Sequence, residues 1–115
     1  MARGDILSID LPPPPGGSGH EQAGTRPAIA VQTDSAANLP TLMVVPLTSN
    51  RAALRFDHTI EVMPSSTNGL SLPSVLLVFQ LRAVDRRRIR NTIGRLEPNY
   101  LEQLEIEIKR LLDLE

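Results

Sequence analysis

Short apolar runs separated by turn residues fill the chain up to about position 95, and the pattern then changes period. Ile6 to Leu11 alternates apolar and polar residues and runs into Pro12-Pro13-Pro14-Pro15-Gly16-Gly17-Ser18-Gly19. Ala28 to Gln32 follows Pro27, and Leu42 to Leu47 follows Pro40. Thr59 to Met63 alternates again and stops at Pro64-Ser65-Ser66-Thr67-Asn68-Gly69. Ser74 to Leu81 is almost unbroken apolar sequence, short enough for one strand buried on both faces. Proline cannot donate to a ladder, so Pro46 inside the third run predicts an edge or a bulge. From Leu101 the apolar positions are Leu101, Leu104, Ile108, Leu111 and Leu112, at helical steps of three and four. Pro98 suits a first helical turn, where its missing N–H costs nothing. Glu105 and Lys109 fall at an i,i+4 spacing favourable on a wet face. The prediction is a mainly β (α+β) chain, a small barrel or sandwich, closed by one amphipathic C-terminal helix over 98–114.

At 115 residues the chain has room for one domain, 1–115, with a Pro/Gly loop over 12–25 expected to be mobile. A chain of this size buries roughly 65% of its unfolded surface, enough for one modest core. Apolar residues at 41% against charged residues at 22% describe an ordinary soluble globular protein rather than a disordered one. The absence of cysteine excludes disulfides, thiolate metal sites and thiol nucleophiles. Three aromatics (Phe56, Phe79 and Tyr100) are too few for a sheet of base-stacking rings, although Phe56 or Phe79 could each support one base. No apolar run reaches the roughly 18 residues that would span a bilayer, and the first residues lack a signal-peptide stretch. The expected location is therefore cytoplasmic, with no membrane partner.

The net charge of −1 conceals a segregated distribution. Arg82, Arg86, Arg87, Arg88, Arg90 and Arg95 stand against Asp85 alone, and the acidic helix follows. Such a strip invites a nucleic-acid reading, because each phosphate contact releases counterions. It equally describes a solvated basic turn or a seat for an acidic protein tail. The acidic helix should repel phosphates and is expected to lie away from any such groove.

Candidate chemistry is sparse. His20 and His58 are far apart, no carboxylate cluster brackets either at ligand spacing, and no Walker or Gly-x-Ser-x-Gly sequence occurs. No metal and no cofactor is expected. Catalysis without them would draw on a nucleophile carried by the substrate, as RNA carries its 2′-hydroxyl. Three stretches stand out: Gly19-His20-Glu21-Gln22-Ala23-Gly24-Thr25-Arg26-Pro27-Ala28, Pro46-Leu47-Thr48-Ser49, and Gln80-Leu81-Arg82-Ala83-Val84-Asp85. With Arg3-Gly4-Asp5-Ile6 and Asp10 they match, in order and approximate spacing from Arg3 through Arg88, those of the MazF/PemK/Kid family of toxin endoribonucleases, which the chain resembles.

The resemblance implies an SH3-like barrel of the MazF/Kid/CcdB type with a C-terminal helix, assembled as a homodimer. It implies sequence-specific, metal-independent cleavage of single-stranded RNA to 2′,3′-cyclic phosphate and 5′-hydroxyl ends, and a cognate antitoxin whose tail blocks the groove. It assigns catalysis to Arg26 and Thr48, with His20 matching a histidine of some relatives. The aspartate that accompanies that histidine is replaced here by Phe79, so proton transfer passes to His20 or Glu21. A histidine near its unperturbed pKa of about 6.5 suits either proton role. Gln22, Ser49, Asn50, Gln80 and Arg82 are the implied RNA contacts. Each also has a plainer reading: Glu21 and Gln22 as loop pins, Gln80 as a partner for a buried backbone group, Arg26 and Thr48 as strand-end residues. Ser8 stands where many relatives carry a larger apolar residue, and the Asp10–Glu21 stretch is longer than in relatives with a Gly-Ser-Glu-Gln version. Two alternatives stay open: a non-catalytic barrel that binds a protein partner, as gyrase poisons of this fold do, and an RNA-binding module without cleavage.

Overall fold

The computed structural model describes residues 2–11 and 24–115. Most of the predicted Pro/Gly loop, and with it His20, Glu21 and Gln22, lies outside the described residues. Its last two positions, Gly24 and Thr25, belong to a strand instead.

Seven strands form one antiparallel, bent sheet: β1 (Asp5–Leu11), β2 (Gly24–Ala30), β3 (Thr41–Thr48), β4 (Thr59–Val62), β5 (Ser74–Leu77), β6 (Arg82–Asp85) and β7 (Ile89–Arg95). The order is β4-β5-β3-β2-β1-β7, with β6 also paired to β3, and one helix, α1 (Pro98–Leu111), follows. The path stays open, since β4 and β7 end it without pairing to each other.

Alternation along β1 and β2 supplies apolar residues to both faces. Ile6 and Ile29 enter the main core with Val45, Leu47, Ile60, Val62, Leu76, Val78, Leu96 and Leu104. Leu7, Ile9, Leu11, Ala28, Ala30, Leu42, Val44 and Val84 form a second cluster on the opposite face. The helix caps the first of these: Leu104 is fully buried, while Tyr100, Leu101, Ile108 and Leu111 pack partly buried beside it.

Pro46 is not at an edge. β3 is interior, flanked by β2 on one side and by β5 and β6, end to end, on the other. Leu47 pairs with Leu76 and Val44 with Arg82, so a step of six positions from β5 to β6 lies against a step of three along β3. The surplus is a 3-10 turn, Val78–Gln80, placed opposite Val45 and Pro46. A proline without an N–H sits where the ladder is already interrupted, and the expected single strand Ser74–Leu81 is broken into β5, the turn and β6 for the same reason.

The helix is shorter than the predicted 98–114. It stops at Leu111 in a Schellman cap: Leu114 N–H donates to the Lys109 carbonyl at 2.7 Å, Asp113 N–H donates to the Arg110 carbonyl at 3.2 Å, and Asp113 is left-handed at φ 56°. No glycine announces this cap in the sequence. Leu112 therefore leaves the stripe and is half exposed, and Glu105 pairs with Arg3 at 2.5 Å.

Candidate functional site

The β2–β3 ladder ends at Ala28↔Pro46. Continued two residues further, the same register would set Arg26 opposite Thr48. Pro27 has no N–H to offer β3 there, and beyond this point the two strand ends frame a cleft of about 560 Å³. Arg26, Pro27, Leu47 and Thr48 line it from β2 and β3, with Ser49 and Asn50 just beyond β3; Leu70, Ser71 and Leu72 line it from the β4–β5 connection and Ser74 from the start of β5.

The hydroxyl of Thr48 has a defined polarity. Its Oγ1 accepts the Asn50 N–H at 3.2 Å, which leaves the hydroxyl proton to be donated elsewhere. Asn50 in turn caps the 3-10 turn Arg51–Arg55, its Oδ1 accepting from the Ala52 N–H at 3.1 Å. Arg26 is exposed, and its side chain has no hydrogen bond or ion pair among the described residues. The strand end that carries it is braced one residue earlier. Thr25 Oγ1 donates to Asp10 at 2.7 Å, and Arg90 Nε donates to both Asp10 oxygens at 2.9 Å, tying β2, β1 and β7 together. These bonds, from Arg90 first and Thr25 next, hold the Asp10 carboxyl below its usual range.

The other candidates separate from this cleft. Gln80 and Arg82 line a second recess of about 390 Å³ with Phe79, Leu81 and Ala83, and both have partners. The basic strip is largely committed to the fold. Arg87 holds Asp85, Arg90 holds Asp10, Arg95 holds Asp5, and Arg86 reaches the Leu39 carbonyl at 2.6 Å. It forms β6, a 3-10 turn and β7 rather than a basic turn alone. Asp85 accepts from the Arg87 side chain and its N–H, which pulls its carboxyl down to about 2. Phe56 and Phe79 pack at 5.3 Å with their rings tilted by 58°, the Arg55 guanidinium covers Phe56 at 4.4 Å, and neither ring lines the cleft.

A convergence the sequence spacing hid joins Asp57 and His58 to Glu107 of the helix, with ligand atoms within 4.8 Å of one another. His58 Nδ1 lies 2.8 Å from Glu107 Oε1, and Arg110 Nη1 donates to both Glu107 oxygens at 2.7 Å. Those groups could meet a metal ion, but they already clamp the helix to the sheet and share no residue with the cleft. The structural reading of His58 is the one its contacts support. Sequence reasoning missed Leu70, Ser71, Leu72 and Ser74 as cleft residues, since a Pro/Ser/Asn/Gly run signals a turn and not where it packs.

Comparison with known proteins bears on what such a cleft belongs to. The sequence profile of the family described as PemK-like, MazF-like toxin of type II toxin–antitoxin system matches residues 2–112. The chain is 34% identical over 121 residues to the endoribonuclease MazF9 of Mycobacterium tuberculosis, covering 99% of this chain and 98% of that protein. It is 28% identical to the endoribonuclease EndoA of Bacillus subtilis, covering 91% and 88%. Among solved structures, MazF from Deinococcus radiodurans superposes with a TM-score of 0.79 at 21% identity, covering 99% of this chain and 97% of that one. A mycobacterial endoribonuclease in complex with its cognate antitoxin gives 0.76 at 16% identity, covering 100% and 97%. With an open antiparallel sheet, one closing helix and a profile match over nearly its whole length, this chain belongs to the PemK-like, MazF-like toxin family of type II toxin–antitoxin systems.

Proposed function

We propose that this chain, a single domain over 1–115, is the toxin of such a system and a metal-independent, sequence-specific endoribonuclease acting on single-stranded RNA, messenger RNA included, so that it inhibits translation and growth. One observation carries the reading: a guanidinium unpaired among the described residues and a hydroxyl that accepts one bond and keeps its proton to donate share one open cleft. In-line attack by the ribose 2′-oxygen forms a bond to phosphorus as the bond to the 5′-oxygen breaks. The 2′ proton passes to a base and the leaving oxygen takes up a proton, which yields a 2′,3′-cyclic phosphate and a 5′-hydroxyl. Negative charge rises on the nonbridging oxygens between those two events, and fixed donors lower that barrier most. Arginine, with a pKa above about 12, supplies a permanent charge there and not a proton. Thr48 supplies a neutral donor. Proton transfer is assigned to His20 or Glu21. Ser49 and Asn50 contact the RNA beside the scissile phosphate; Gln22, Gln80 and Arg82 contact it further along the strand. The protein acts as a homodimer in the cytoplasm, held in check by a cognate antitoxin, as the mycobacterial relative's complex suggests. No helix is long and apolar enough to cross a membrane.

The test is incubation with a long single-stranded RNA in EDTA beside an Arg26→Ala control. Discrete fragments ending in cyclic phosphate, absent with the variant, are expected. Intact RNA with the unmodified protein, or fragments that persist undiminished with the variant, would overturn the reading.

A further inference from the structure

The connection from Pro64 to Pro73 is composed of turn residues, yet it is built as a rigid wall. Its hub is Asn68, whose side chain is fully buried and saturated. Oδ1 accepts the N–H groups of Ser65 and Leu70, each at 3.0 Å, while Nδ2 donates to the Met63 carbonyl at 2.9 Å and to Glu97 Oε1 at 3.1 Å. Ser65 Oγ donates to the other Glu97 oxygen at 3.2 Å, so the residue that opens α1 is clasped by the connection. Gly69 is left-handed at φ 69°, and a Cβ there would meet the Ile93 carbonyl oxygen at 2.5 Å, leaving glycine alone able to pass between. Arg95 N–H donates to the Thr67 carbonyl at 2.9 Å and pins the same segment to β7.

What this anchorage holds in place is the far wall of the cleft. Leu70 packs on the main core, and Ser74 Oγ donates to the Leu72 carbonyl at 3.0 Å. Leu72 is nevertheless 57% exposed, and Ser71 beside it is exposed and makes no bond among the described residues. No aromatic ring lines the cleft. Phe56 and Phe79 are engaged with each other, and the Tyr100 hydroxyl accepts the Met63 N–H at 3.2 Å. An RNA strand whose phosphate rests on Arg26 and Thr48 must place its neighbouring base against some apolar surface, and Leu72 is the exposed large aliphatic group that this cleft presents.

We infer that Leu72 is a specificity-determining residue: it receives the face of a nucleobase next to the scissile phosphate, held on the connection that Asn68 anchors. The inference rests on the endoribonuclease reading and is separable from it. The experiment compares an RNA holding the cleaved sequence with versions made abasic at each nucleotide flanking the cut, using the unmodified protein and Leu72→Ala. Loss of an aliphatic contact of this kind is worth on the order of tenfold in rate. The unmodified protein should lose that factor on one abasic RNA. Leu72→Ala should lose it on the intact RNA and lose nothing more on that abasic one, while Leu72→Met restores discrimination. If Leu72→Ala still distinguishes intact from abasic RNA, or slows both alike, the inference fails while the endoribonuclease reading stands. A variant that alters self-association but keeps base discrimination assigns Leu72 to a protein interface and likewise overturns it. An unmodified protein that cuts none of these RNAs overturns the endoribonuclease reading itself.

Discussion

Two sets of arginines divide this molecule. The strip from Arg82 to Arg95 is dense in sequence, but Arg86, Arg87, Arg90 and Arg95 are consumed by carbonyls and carboxylates of the fold. Arg26 is isolated in sequence and opens into a cleft without a partner among the described residues. A guanidinium that already bonds a carboxylate must break those bonds to meet a phosphate. One that stands unpaired beside a hydroxyl donor gives up only water. Density of charge along a chain is thus a poor guide to which guanidinium groups remain available.

The comparison is broken most directly by kinetics. Arg26→Ala should lower RNA cleavage by a hundredfold to a thousandfold, the range for removing one preorganised donor, while Arg87→Ala in the strip should leave the rate within about twofold. Equal losses would mean that the strip carries the reaction. Thr48→Val keeps the shape of the strand end and removes the donor, together with the acceptor of the Asn50 N–H. A loss on the order of a hundredfold in kcat with KM little changed is expected, measured at saturating RNA.

Smaller effects sharpen the distinction. On an RNA with 2′-deoxyribose at the cleaved nucleotide, binding by Arg26→Gln should show a salt slope shallower by about 0.7, as expected for one lost phosphate contact on a single strand. Arg87→Gln should leave the slope unchanged. The smallest effect concerns Asp85, whose folded carboxyl lies at about 2 because Arg87 bonds it. A lowered carboxylate contributes stability that is complete above its unfolded value of about 3.9 and is lost as pH falls through its folded one. Asp85→Asn should therefore be slightly less stable than the unmodified protein above about pH 4, with the gap closing toward pH 2 in acid-unfolding curves. A gap that widens on acidification would contradict the pairing.

The strand pattern was legible because alternation and short apolar runs between turn residues are local. Ile6–Leu11 and Leu42–Leu47 lie within strands, whereas the run Ala28–Gln32 leaves its strand after Ala30, that strand beginning instead at Gly24, and Thr59–Met63 ends one residue early. The helix was legible from its stripe, but its end was not, since Asp113 takes the left-handed cap that glycine usually marks. Ser74–Leu81 was misread as one strand because the cause of its break, Pro46, lies on another strand. The pairing of Glu105 with Arg3 was equally hidden, because the partner is a hundred positions away.

For the site, residue types and order were enough to nominate Arg26 and Thr48, a permanent cation and a neutral donor that the fold brings to one cleft. Composition alone set the absence of thiols and the scarcity of rings. Tertiary structure decided which charges stay available, because pairing depends on strand register: Asp10 and Arg90 meet across β1 and β7, while Arg26 lies beyond the end of its ladder. It also decided that the turn after Pro64 walls the cleft, through a buried asparagine whose four bonds reach residues on both sides of it in the sequence. Local preference determines an element; which side chains face one another depends on long-range packing, to which no short window of sequence has access.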